Sequence, residues 1–201
     1  MMKNCIVSLL VMLAGSMTAA AQHTVESIRK EYQEMNERIQ RMMADQQPKE
    51  YYNLHVEQNL PGTGPHDVNI YMYYDEKPGQ EEDVIYPDHY LHYATKKYNF
   101  AARQYYEEFF YDAKGQLTFT YSRYVNDDID NIYELRLWFD GQHLLRVMAK
   151  ENTSDDWDHL VFKEVYTGTS IPAKFKVKSE SLKDGAQEML NKFNAINYFP
   201  F

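Results

Sequence analysis

The chain has 201 residues, of which 30 are acidic and 21 basic, for a formal charge of −9. A chain this negative repels phosphate backbones and anionic headgroups, which argues against nucleic-acid and membrane-surface binding. It holds a single cysteine but 18 tyrosines, 10 phenylalanines and 2 tryptophans, so thiol chemistry is scarce and ring surface is abundant.

Residues 1–21 carry one early cation at Lys3, an apolar run from Cys5 to Gly15, and the small-residue exit Ala19-Ala20-Ala21. This layout predicts a secretory signal peptide over 1–21, cleaved after Ala21. The run is too short to span a bilayer, so no membrane segment is expected in the mature chain. The mature protein is then exported, periplasmic or extracellular, and forms a single domain over 22–201. Cleavage removes Cys5 and with it disulfide, zinc–thiolate and cysteine-nucleophile chemistry.

From Thr24 to Asp45 the apolar residues Val25, Ile28, Tyr32, Met35, Ile39 and Met42 recur at gaps of three and four, which is one stripe of a helix. Thr24 suits its N-cap and Pro48 ends the segment. Packing against the protein's own sheet is the simpler use of that stripe, although it also permits a coiled coil with another chain.

After Pro48 the period changes to two. Tyr52, Leu54 and Val56 alternate with polar neighbours before the Leu60–Pro65 break, and strand patterns follow at Val68–Tyr74, Tyr90–Phe100, Arg103–Tyr111, Leu117–Val125, Ile132–Phe139 and His143–Lys150. Short turns between the later strands predict an antiparallel meander of about six or seven strands. Asp156–Tyr166 reads as a short helix with Trp157, Leu160, Val161 and Val165 on one side. Ser179–Ile196 reads as a closing helix, weakened at Gly185 by roughly 1 kcal/mol relative to alanine. The predicted class is α+β, with the N-terminal and C-terminal helices packed on one face of the sheet.

Three segments share an aromatic pair, an aspartate and Gly-Gln: Tyr73-Tyr74-Asp75 with Gly79-Gln80, Phe110-Tyr111-Asp112 with Gly115-Gln116, and Trp138-Phe139-Asp140-Gly141-Gln142. Aspartate opens a turn by accepting backbone amides, and glycine supplies the positive φ that restarts the strand. The second copy predicts Tyr111 opposite Leu117 and Phe109 opposite Phe119. The third predicts Leu137 opposite Leu145. The run Tyr111–Leu117, followed by an alternating strand and Phe139-Asp140-Gly141, resembles the hairpin-repeat secreted domains of unknown function of gut Bacteroidetes, over about residues 85–150. That resemblance implies an exported β-rich fold and transfers no catalytic residue.

Motifs for chemistry are sparse. His89 and His92 are spaced for a metal only on a helix, and on a strand they point to opposite faces. Asp127, Asp128 and Asp130 gather oxygens that suit calcium, but the EF-hand glycine and distant glutamate are missing, and a solvated turn explains them more simply. No serine-hydrolase elbow or phosphate loop is present. No metal or cofactor is therefore expected.

The remaining candidate is a wet sheet face. Under the predicted registers Tyr106, Glu108, Tyr124, Arg136, Trp138 and Arg146 share it, with Thr118, Thr120, Ser122 and Glu134. Tyr, Trp and Arg are the residues of binding hot spots, and a flat ring stacks on a sugar or a partner side chain. The expected function is a non-enzymatic binding module for a protein partner or glycan. The alternatives are a small glycan hydrolase pairing Glu108 with Glu134, or an assembly subunit using the N-terminal stripe.

Overall fold

The computed structural model describes residues 23–81, 85, 87–126, 131–156 and 158–197. The predicted signal peptide, Trp157 and the calcium candidates Asp127, Asp128 and Asp130 lie outside the described residues. Helix α1 (Val25–Met43) is followed by strands β1 (Tyr51–Leu60), β2 (Gly64–Glu76), β3 (His89–Phe100), β4 (Arg103–Tyr111), β5 (Leu117–Asn126), β6 (Asn131–Asp140), β7 (His143–Asn152) and β8 (Phe162–Gly168), then by helix α2 (Ala173–Asn197). The strands form one antiparallel sheet in the order β1 to β8, each beside its sequence neighbour. The α+β meander predicted from periodicity is what forms, with eight strands where six or seven were expected.

The eighth strand replaces the helix expected over Asp156–Tyr166. In its pairing with β7, Glu164 sits opposite Lys150 and Tyr166 opposite Ala149, so Val165 is the extra residue of a bulge. The bulge breaks the two-residue alternation and leaves Val161, Phe162, Val165 and Tyr166 at a spacing that mimics a helix. At the other boundary, α2 begins six residues before the expected Ser179, directly after Pro172. Proline closes a helix interior but is well placed at its start, and the added turn brings Phe175 into the core.

The two helices lie on opposite faces, which corrects the expectation that both pack on one. Phe175, Leu182, Ala186, Met189 and Phe193 of α2 pack with Met72, Leu91, Phe109, Leu135 and Leu137. Ile28, Met35 and Met42 of α1 pack instead with Tyr73, Tyr93, Phe110, Phe119 and Trp138. The strands carry rings or aliphatics on both sides, so each side requires its own cover. The α1 stripe is thereby buried against its own sheet.

Local chemistry fixes the ends of these elements. The Thr24 hydroxyl accepts from Ser27 N while the Ser27 hydroxyl accepts from Thr24 N, both at 3.0 Å, a reciprocal capping box. In the β4–β5 turn, Asp112 Oδ1 accepts from Lys114 N at 2.9 Å and Gln116 N at 2.8 Å, and Gly115 has φ of 76°. The turn grammar read from the sequence therefore operates there. In the first copy only the glycine half holds, with Gly79 at φ of 82°, while Asp75 faces Arg38 and His92.

Candidate functional site

Helix α1 crosses the strands obliquely, with Arg29 over the Trp138 ring of β6, Tyr32 edge-on to Phe119 of β5, and Arg38 paired with Asp75 of β2. Three cross-strand rows define the sheet surface on that side. Phe110, Phe119, Trp138 and Arg146 form the first, and the helix lies over it. Glu108, Tyr121, Arg136 and Met148 form the second; Lys97, Tyr106, Arg123, Glu134 and Lys150 form the third. The helix packs along the first row and leaves the second and third beside it. Between the helix and the two outer rows opens a pocket of about 790 Å³, walled by Ile28, Arg29 and Tyr32 and floored by Tyr106, Glu108, Tyr121 and Arg136.

Glu108 is the polar centre of the floor. It is 6% exposed and accepts a hydrogen bond from the Tyr32 hydroxyl at 2.7 Å. Burial pushes its carboxyl above the usual range, and hydrogen bonds from the hydroxyls of Tyr32, Tyr106 and Tyr93, with the charge of Arg136, hold it back in part. The same surroundings raise the Tyr32 and Tyr106 phenols, burial first and the Glu108 charge second. Glu134 is held differently. It accepts from the Tyr121 hydroxyl at 2.8 Å and from Arg136 Nη1 at 2.9 Å, while the Arg136 guanidinium lies 4.8 Å from the Tyr121 ring centre.

The sequence-predicted residues divide into three groups. Tyr106, Glu108, Arg136 and Trp138 line the pocket, but Trp138 is 3% exposed beneath α1, so its indole is a wall and not an open platform. Arg146 lies 5.9 Å from the Trp138 ring centre, outside the pocket, with its Nε buried and without a partner among the described residues. Tyr124 belongs to the opposite face, beside Tyr133 and beneath Lys178. Thr118, Thr120 and Ser122 are buried with it on the α2 side.

One irregularity explains the misplacement. Tyr111 pairs with Leu117 as expected, but a bulge between Phe110 and Tyr111 puts Phe110 opposite Phe119 and Phe109 opposite Thr120. A slip of one residue exchanges the faces of a whole strand. A second bulge between Trp138 and Phe139 places Leu137 opposite Val147 rather than Leu145. The site residues missed in the sequence, Tyr121 and Arg123, are those the first slip turned over. Tyr32 was legible only as part of the helix stripe.

Adjacent Glu107 and Glu108 do face opposite ways. Glu107 pairs with Lys178 of α2 at 2.6 Å, a nearly buried ion pair in the other layer. His89 and His92 also separate, His89 against Tyr74 and His92 beside Phe110 with Nδ1 on Asp75. Among the described residues no cluster of three His, Cys, Asp or Glu side chains is placed to hold a metal ion, and no helix is long and apolar enough to cross a membrane.

The fold and site together define a class: an open antiparallel sheet between two helices, with a polar, ring-lined pocket under the shorter one. No family model matches the chain, and neither a curated protein nor a solved structure matches it.

Proposed function

We propose that the protein is an exported, periplasmic or extracellular binding module, and that its ligand, a glycan or a segment of a protein partner, enters the pocket on the α1 face. The observation that carries this reading is the pocket itself. A half-open space of about 790 Å³ lies within the usual range for small ligands. Its surface pairs tyrosine rings with the guanidinium and ammonium donors of Arg123, Lys97 and Lys150, a combination that stacks on and hydrogen-bonds a saccharide. The test is capture on a glycan array and from native envelope extract, comparing the wild type with Tyr121→Ala and Tyr106→Ala. Loss of capture with unchanged circular dichroism supports the reading, and unaltered capture contradicts it.

A glycan hydrolase is the second reading, favoured by Glu108, whose raised carboxyl suits a general acid. Its partner is the difficulty. Glu134 stands two strands away and two residues along, so the backbones are about 12 Å apart, and Arg136 already neutralises it. Reducing-end release from a bound glycan, abolished by Glu108→Gln, would favour the hydrolase over the module.

A further inference from the structure

We propose that the pocket selects an anionic saccharide, a sugar bearing a carboxylate or a sulfate ester. The inference rests on the binding-module reading and specifies its ligand. Five basic side chains and one acidic one line the pocket, in a chain with 21 basic and 30 acidic residues. The local balance is the reverse of the global one.

Two glutamates beside the floor are already engaged. Glu134 is neutralised by Arg136 and the Tyr121 hydroxyl. Glu108 lies buried beneath the Tyr32 hydroxyl. The outer row holds Lys97, Arg123 and Lys150 across β3, β5 and β7, and none of the three has a carboxylate partner among the described residues. Three cations with no ion-pair partner among the described residues, along one wall of a cleft, focus a positive potential in a chain whose net charge is negative. An anion placed there gains charge-assisted hydrogen bonds from groups that make no competing pair. The rings of Tyr106 and Tyr121 form part of the floor beside those cations, edge to face at 6.0 Å, and supply apolar surface that suits a pyranose better than a bare inorganic anion.

The test is calorimetric titration of the purified protein with three probes of similar length: trigalacturonate for the carboxylate, a chondroitin sulfate tetrasaccharide for the sulfate ester, and maltotriose as the neutral comparator. Either charged probe is expected to bind more tightly than maltotriose by about tenfold or more. That affinity should fall with added salt and drop roughly tenfold in Arg123→Gln and in Lys150→Gln. Arg123 is exposed and Lys150 half-buried, and circular dichroism checks that the fold is kept. Maltotriose binding as tightly as the charged probes, with Arg123→Gln neutral, overturns the selection for charge and leaves the binding module standing. Failure of all three probes to bind overturns this proposal together with the glycan form of the module.

Discussion

The two faces of the sheet solve the same burial problem in different ways. On the α2 face a helix of 25 residues covers a mixed layer of rings and aliphatics, Phe109, Tyr111 and Phe139 among Leu91, Leu135 and Leu137, and the Glu107–Lys178 pair within it is closed on itself. On the α1 face a helix of 19 residues covers rings, and beyond its reach the sheet changes to Tyr, Arg, Lys and Glu. On the α1 face two polar rows lie beside the helix and a pocket opens, while on the α2 face Gly185 lets the helix approach Phe109 and Glu107 closely. The first arrangement suits recognition and the second suits stability.

That contrast can be broken most severely on the α2 side. Lys178→Met strands the Glu107 carboxylate in the interior and should lower unfolding free energy by about 3–5 kcal/mol, with the double variant Glu107→Gln, Lys178→Met recovering most of it. Leu182→Ala, at a side chain with no exposure, should cost about 2–5 kcal/mol by denaturant titration. Tyr121→Ala on the pocket floor should cost roughly 1 kcal/mol or less while abolishing capture. Equal losses at Leu182 and Tyr121 would erase the distinction between the faces. Thr24→Ala removes the α1 cap and should cost about 1 kcal/mol.

The smallest effects are in pH dependence, and the two carboxyls act with opposite sign. Glu108 is raised in the folded state, so its contribution is present below the unfolded value of about 4.3 and is lost as pH rises through the folded value. For Asp75 burial raises the carboxyl, but the hydrogen bonds and charges of His92 and Arg38 outweigh it and the net direction is down. Its contribution is present above about 3.9 and is lost as pH falls through the folded value. Thermal melts across pH 3 to 8, on the scale of those carboxyl values, should show Glu108→Gln losing less stability on the alkaline side and Asp75→Asn losing less in acid.

What was legible in the sequence was set by regular repetition. The three-and-four spacing located α1, alternation located seven strands, and Asp112 with Gly115 located a turn whose hydrogen bonds are those expected. The parts misread are where one extra residue enters a strand. The bulges beside Phe110, Trp138 and Val165 each shift a register that side-chain periodicity alone assumes to be continuous. The predicted register puts Tyr124 on the wet face and leaves Tyr121 off it for that single reason. The expectation that both helices share one face fails on other grounds: the face of Trp138 and the tyrosines reads as wet because tyrosine tolerates water, whereas Phe110, Phe119 and Trp138 lie covered by α1. Glu108, Arg136 and Tyr106 survived because β4 and β6 keep the side expected of them.

The most direct test of the pocket is a methyl spectrum of Ile- and Met-labelled protein, titrated with trigalacturonate. Ile28 and Met148 line the pocket, whereas Met72 and Met189 lie in the α2 layer. Saturable shifts at Ile28 and Met148 with Met72 and Met189 unmoved is the predicted result. Shifts at Met72 and Met189, with none at Ile28 and Met148, would place recognition on the other face and contradict the account.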